Sequence, residues 1–390
     1  MAGNPNTLTA IIPDINTARD VISKELVGFI PSVTLNAGSE RAAVGQSVKS
    51  LVTPEVTASA RVVTMSPADP AGQTMAVKEL LITNDQSIKI PWAGEEQRGV
   101  NAAEGYSTIY GQQIEQAVRT HVNNIEAHTA SVATLASSRA YGTAGTTPFP
   151  TAGNLTDASQ ALKILKDNGQ AGGDNSLIIN TSAGANFIGL QSRADMSGTT
   201  SIRDQGVLIR TAGLSMRESA QVQDFTAGAM ASATTNAAGY AVGSTVISLA
   251  AAGTGVVAAG DCITFAGDAN IYTVASVVFA GANPAAGDVI TIQEPGLRVA
   301  IAAAATAITV IASSARNIVL NRTAVELVVR PPAMPNGGDG AVDSFMMTDP
   351  RSGLSFDIRL YTGYGMNFID VVCVYEAKAW NPKAIGTLLG

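Results

Sequence analysis

Residues 248–267 read SLAAAGTGVVAAGDCITFAG and hold one charged side chain, Asp261. The sequence on either side is ordinarily charged, so this stretch marks a unit of its own. Across 227–315 the only charges are Asp261, Asp268, Asp288, Glu294 and Arg298. Five short runs recur within it: STVISLA, DCITFAG, IYTVASVVF, DVITIQE and AITVIAS. Gly, Asn and Pro separate them. Short β-branched runs at regular spacing, with turn residues between, are the pattern of a small barrel or sandwich. The spacing predicts an inserted all-β, barrel-like domain over 226–316, with its Ala/Gly tracts as linkers or edge segments.

Outward from that block the composition becomes mixed. Downstream, NIVLNRTAVELVVRPP (317–332) begins with a strand, or with a strand and a helical turn. FMMTDPRSGLSFDIRLYTGYG (345–365) reads as a hairpin bent at DPRSG, and MNFIDVVCVYEAKAWNP (366–382) as a long hydrophobic strand. Upstream, Ile114, Val118, His121, Ile125, His128, Val132 and Leu135 fall at alternating steps of four and three. That rhythm puts them on one helix face and predicts a helix over 104–138. LTDASQALKILKDNG (155–169) predicts a second helix, capped by Thr156 or Asp157 and stopped by Gly169. SLIIN is a short buried strand; TSAGANFIGLQSRADM is helical; DQGVLIRTAGLSMRESAQVQDF is strand, turn, strand. Residues 15–30 carry a short amphipathic helix stopped by Pro31, and 44–100 are extended. Two strands near 79–83 and 87–91, joined by a turn at NDQ, predict a projecting two-stranded loop.

Composition narrows the function. Charged residues are 14% of the 390, against about 25% in an average soluble domain, while hydrophobic residues are 46%. A neutral surface of small residues suits a protein that covers itself with its own copies, or an extracellular β-protein. The net charge is −7, and the 24 Lys and Arg are scattered. Sequence-specific DNA binding through phosphate neutralisation is not expected. Cys262 and Cys373 lie in apolar strand-like runs and read as buried free thiols, with no disulfide framework. The N-terminus shows no signal peptide, and no apolar run reaches the roughly 20 residues of a membrane span. Folding in a cytoplasm is expected.

Catalytic constellations are poor. His121 and His128 are the only histidines. They lie two helical turns apart, too far for a helical metal pair, and read as satisfied core or interface residues or as a pH-sensitive contact. Glu95 and Glu96 read as a solvated turn, and the Asp268 stretch lacks the alternating ligands of a calcium loop. Trp92 and Trp380 lie near Pro91 and Pro382 in exposed-looking junctions. Each is either an interface anchor or simple packing. No catalytic, cofactor-binding or metal residue is assigned.

The order of parts is an N-terminal helical arm, an extended loop, a long spine helix, a helix-plus-strand region and a β-rich completion. It resembles the tailed-phage major capsid proteins of the Hong Kong 97 type. NIVLNRTAVELVVRPP is similar to the strand-and-Arg-Pro segment of such coats. TVISLAAAGTGVVAAGDCITFAG and the final NPKAIGTLLG resemble the coat of the short-tailed Salmonella phage, which carries an inserted β-barrel. The resemblance implies an α+β fold divided into arm (1–59), extended loop (60–100), spine helix and peripheral domain (101–175), axial domain (176–225), insertion (226–316) and axial/peripheral completion (317–390). It also implies pentamers and hexamers closing an icosahedral shell around double-stranded DNA, without sequence-specific binding or membrane. Assembly is expected in the host bacterial cytoplasm, with a scaffolding protein, a portal protein at one vertex and, where present, a decoration protein. Lys78, Glu79, Lys89, Trp92, Glu95, Glu96 and Arg98 are then candidate inter-subunit contacts. The Lys–Asn crosslinking of some members is not carried over, because no matching Glu context is found. Two other readings compete: a secreted surface-layer or adhesin-like β-protein, which needs a secretion signal and leaves the 104–138 helix unexplained, and an enzyme with an unrecognised site.

Overall fold

The computed structural model describes residues 26–38, 40–52, 76–95, 106–151, 154–170, 172–190, 210, 212–348 and 353–390. The expected arm helix over 15–30 falls almost wholly outside them, as do 53–75, Glu96, Arg98 and the bend at 349–352. The first half of the chain supplies β1 (Thr34–Ala37), β2 (Ser47–Val52), β3 (Ala76–Leu81), β4 (Asn84–Ala93), α1 (Tyr106–Leu135), β5 (Arg139–Tyr141), α2 (Thr156–Asp167), β6 (Asn175–Ile179) and α3 (Thr181–Leu190). Next come β7 (Leu214–Glu218), β8 (Asp224–Phe225), β9 (Ala233–Thr234), β10 (Val246–Ser248), β11 (Cys262–Phe265), β12 (Ile271–Val278), β13 (Val289–Ile292) and β14 (Ala307–Val310). The chain closes with β15 (Ser314–Asn321), β16 (Val325–Arg330), β17 (Asp343–Thr348), β18 (Ser355–Thr362), β19 (Met366–Ala379) and β20 (Ile385–Leu389).

Among the described residues two large sheets share the fold. The first runs β1-β16-β19-β18-β17, with β4 on the other edge of β19. Helix α1 lies on one face of this sheet. Ile114, Val118, His121 and Ile125 are fully buried, as the four-three rhythm predicts. Towards the C-terminal end the stripe rises out of the core, and Leu135 is already exposed. Among the described residues no helix is long and apolar enough to cross a membrane.

The expected hairpin at NDQ is not formed. β3 pairs with β2, and β4 pairs with β19 from Asn84–Tyr375 to Ala93–Met366. The reason lies in β4 itself. Ile90 and Trp92 are buried on the side of α1, while Asp85, Ser87, Lys89 and Pro91 face outward. Such a period-two strand needs a sheet with one buried face, and the long apolar edge of β19 provides it. Trp92 is therefore core, only 6% exposed, with its indole N–H donating to Gln113 Oε1 at 2.9 Å.

The second sheet runs β7-β6-β15-β20-β5-β12-β11-β14-β9. Every predicted strand of 227–315 is present. Met230, Ile247, Ile263, Phe265, Tyr272 and Ile290 belong to a core of that block's own. Yet its sheet is not closed off, because Ile271 and Tyr272 of β12 pair with Ala140 and Arg139 of β5. The block is thus hydrogen-bonded edge to edge with the α/β region. NIVLNRTAVELVVRPP turns out as two strands with a helical turn between. β15 belongs to the second sheet and β16 to the first, and Asn321 Oδ1 caps the intervening turn by accepting from Thr323 N at 3.1 Å. The predicted hairpin of β17 and β18 and the long strand β19 are present. In α2 neither Thr156 nor Asp157 is the cap. Asn154 Oδ1 accepts from Thr156 N, and Asp157 Oδ2 accepts from Phe149 N. Gly169 does follow the helix, at φ +79.

Both cysteines are buried free thiols. His121 packs on β19 beside one of them: its Nε2–H donates to Val371 O at 2.9 Å, and its Nδ1 lies 3.5 Å from Cys373 Sγ. Burial pushes the His121 imidazole below its ordinary value of 6.5, outweighing the raising effects of the Val371 carbonyl and Asp370. The fold therefore holds it neutral, whereas the unfolded chain protonates it below 6.5, so stability is lost as pH falls through that range. His121→Gln should flatten the decline in melting temperature between about pH 6.5 and 5; an unchanged slope contradicts this. Trp92→Ala should cost about 3–5 kcal/mol in urea unfolding if the tryptophan is core, and under about 1 kcal/mol if it is a surface anchor.

Candidate assembly surfaces

The ribbon of β2 and β3 stands apart from both sheets but is fixed at its base. Leu80 and Ile82 are fully buried against Ala42, Val328 and Val374. Ile82 N donates to Gln46 O at 3.1 Å, and Lys78 Nζ donates to Trp380 O at 3.0 Å. The opposite face, by strand alternation, presents Val77, Glu79 and Leu81. Val77 and Leu81 are each 52% exposed. Glu79 pairs with Lys49 at 3.2 Å across the ribbon in open solvent, a contact that contributes little alone. The corner that leads from β3 into β4 is pinned by Glu376 of β19. Its carboxylate accepts from Thr83 Oγ1 and from Asn84 Nδ2 (3.1 Å), and meets His128 Nε2 at 2.6 Å. Burial alone raises the Glu376 carboxyl, but the hydrogen bonds from His128 and Thr83 outweigh it and hold the group below its usual value.

Of the seven candidate contacts, Lys78 and Glu79 lie on this ribbon. Lys89 lies on the outward face of β4, opposite Asp370 of β19 and 5.9 Å from the Phe368 ring. Glu95 is exposed just past β4, and Trp92 is buried. Glu96 and Arg98 lie outside the described residues. The candidates therefore do not converge on one patch. Trp380, the other tryptophan, is half-buried; its Nε1–H donates to Glu326 Oε2 at 2.7 Å and Lys378 Nζ lies over its ring.

Two apolar surfaces escaped sequence reading. One is the outward ribbon face of Val77 and Leu81, whose alternation in AVKELL was visible but not weighed. The other is the tip of the first sheet. There Tyr364 is fully exposed, with Val342 and Met366 about half-exposed beside it. The tip is closed by Gly94 N donating to Gly365 O at 3.3 Å, where β4 ends. Behind it a charged network stiffens the sheet. Arg359 bridges Asp339 (2.7 Å) and Asp357 (2.8 Å), Arg41 meets Asp357 at 2.6 Å, and Tyr361 OH donates to Asp339 at 2.8 Å. Burial raises the Asp339 carboxyl, yet the Ala341 N–H, the Tyr361 hydroxyl and the Arg359 charge together hold it low. These polar groups serve one another. Among the described residues no group of three or more His, Cys, Asp and Glu side chains is placed to hold a metal ion.

The N-terminal segment is tied in as firmly. Glu126 of α1 is 1% exposed and accepts from the backbone N–H of Gly28 (2.6 Å), Phe29 (2.7 Å) and Ile30 (2.9 Å) and from Ser219 Oγ (2.8 Å). Four donors on one carboxylate satisfy the buried charge. Nothing in the sequence distinguishes Glu126 from a surface helix residue, because its partners are backbone groups far away in the chain.

No protein-family model matches the chain, and no curated protein matches it. Solved structures do. The capsid structure of the cyanophage P-SCSP1u aligns with a TM-score of 0.50 at 11% identity, covering 93% of this chain and 88% of that one. The mature capsid of bacteriophage PhiM1 aligns at 0.47 and 10% identity, over 93% and 86%. A chain of Mycobacterium phage Che8 aligns at 0.45 and 12%, over 93% and 90%. This chain has the fold found in the cyanophage capsid structure, over almost its whole length.

Proposed function

We propose that this chain is the major capsid protein of a tailed bacteriophage, a structural protein and not an enzyme. The observation that carries the reading is the fold shared with the cyanophage capsid structure across 93% of this chain and 88% of that one. The finer reading is a Hong Kong 97-like fold with 226–316 as an inserted β-barrel-like domain, of the short-tailed Salmonella phage coat type. In that frame α1 is the spine helix, α2 belongs with it to the spine-helix and peripheral part (101–175), α3 and β7 lie in the axial domain (176–225), and the strands of 317–390 complete the axial and peripheral domains. Copies associate as pentamers and hexamers in an icosahedral virion shell around double-stranded DNA. Scaffolding, portal and decoration proteins are the expected partners, and the host cytoplasm is the place of assembly.

Physical features support self-association. A ribbon anchored at one face exposes Val77 and Leu81 on the other, beside the Lys49–Glu79 pair, and contact with another molecule would bury them. A closed symmetric assembly supplies that neighbour at every position. Lys78, Glu79, Lys89 and Glu95 are the surface groups available for such contacts. The ribbon must be tested without cutting into β4, since deletion of 80–95 removes a core strand and Trp92.

The double substitution Val77→Asp, Leu81→Asp leaves every buried ribbon residue in place. It should keep the melting temperature within a few degrees of the parent and abolish fast-sedimenting particles in velocity centrifugation. Particles of parental size from this variant rule the ribbon out as a contact.

A further inference from the structure

A groove of about 230 Å³ runs along the last turns of α1, between the N-terminal segment and the segment leading into β8. On α1 its lining is Ala127, Ala130, Ser131 and Thr134, small side chains that recur at helical spacing. Phe29, Val222 and Phe225 wall it, and Leu135 stands at its far end, 39% exposed. Small residues let a second helix approach closely, so the groove suits a row of side chains from a helix laid along α1. Among the described residues that line it two are charged. Asp224 is exposed, whereas Arg316 is only 3% exposed, with its guanidinium 5.2 Å from the Phe225 ring centroid and its Nη1 donating to Cys262 Sγ at 3.2 Å. The open side of the groove is therefore negative.

The described residues begin at Leu26, beside this groove. Glu126 holds the backbone N–H groups of Gly28 (2.6 Å), Phe29 (2.7 Å) and Ile30 (2.9 Å), so Phe29 enters the groove at its Ala127 end. Leu26, three residues earlier, is 46% exposed. The backbone at 26–28 is not helical, so the expected arm helix runs no further than residue 25. The sequence spaces Ile15, Ala18, Val21 and Ile22 on one face of that helix, with Arg19 on one flank and Lys24 on the other. From Ile15 to Ile22 a helix rises about 10 Å, close to the roughly 12 Å from Ala127 to Leu135 on α1. The tether is short as well: the chain from Ile22 to Leu26 spans at most about 14 Å. It holds the apolar stripe beside the apolar groove at an effective concentration on the order of millimolar.

We propose that this groove is the docking site of residues 15–25 of the same chain, laid antiparallel to α1 with Ile22 over Ser131 and Ala18 over Thr134. The direction follows from the tether. Phe29 is fixed at the Ala127 end, so the residues before it fill the groove only by running back towards Leu135. Each flank of the stripe carries a cation, so either facing sets Arg19 or Lys24 towards Asp224. The inference concerns the single chain and does not rest on the shell-forming reading.

The test is disulfide trapping in the dilute full-length chain, whose own Cys262 and Cys373 are buried. Ile22→Cys with Ser131→Cys should cross-link within one chain. The product is read as a monomer of altered mobility on a non-reducing gel and as one linked peptide pair by mass spectrometry. Asp20→Cys with Ser131→Cys starts from the opposite face of the same helix and should cross-link roughly tenfold more slowly. Ala18→Cys with Thr134→Cys takes the place of the first pair if that variant fails to fold. Equal rates for the Ile22 and Asp20 pairs, a cross-linked dimer in place of the monomer, or no link in a folded pair overturns the docking.

Discussion

Strand β19 has neither a free edge nor a free face along its middle. One edge carries β4; the other carries β18 and then β16, end to end. On one face Ile369, Val371, Cys373 and Tyr375 share a core with Ile114, Val118 and Ile125 of α1. On the other, Val374 shares a smaller core with Leu80 and Ile82 at the base of the ribbon. An apolar strand of this length cannot tolerate a solvent-exposed edge without inviting uncontrolled pairing. Its enclosure fixes in turn the position of α1, the entry of β4 and the root of the ribbon.

The two sheets are then held in register by a few joints at the chain crossings. Asn321 caps the turn at which β15 leaves one sheet and β16 enters the other. Glu126 gathers the N-terminal backbone onto α1, and Glu376 gathers the ribbon corner. Glu126 serves donors distant in the chain and inside the protein, where such bonds are hard to replace by water, Glu376 serves the ribbon corner, and Asn321 acts locally on Thr323. What remains outward is sparsely charged and carries scattered apolar residues, among them Val77 and Leu81 on the ribbon, Tyr364 at the sheet tip, and Val242 and Val278 in the 227–315 block. Exposed apolar side chains of this kind gain by meeting another surface.

Much of this was legible in the sequence wherever periodicity ran long. The rhythm from Ile114 to Leu135 located α1, and the five runs in 227–315 located β10 to β14, while β9 (Ala233–Thr234) fell in an Ala/Gly tract read as a linker or edge segment. The long, largely hydrophobic run of 366–382 located β19. Pairing was less legible. β4 was taken for one arm of a free hairpin because NDQ looks like a turn. Its true partner, β19, lies far along the chain, and only long-range register reveals it. Anchor and packing could not be separated for Trp92 for the same reason, since a strand with an unknown partner has no known inside; the structure makes it packing. Neither Thr156 nor Asp157 caps α2, because the cap position is Leu155, without a side-chain cap bond, and Asp157 turns its carboxylate to Phe149 N. Glu126 and Arg316 were not found at all, for their surroundings are assembled from segments remote in sequence.

The account rests on the chain being a shell-forming protein whose outward apolar surfaces are covered by its own copies. Electron microscopy of the full-length chain, expressed alone and together with the genes that neighbour its own, tests this most directly. The account predicts closed particles of uniform size in the co-expressed sample, whether or not the chain assembles unaided. Monomers alone, with every neighbouring gene present, contradict it.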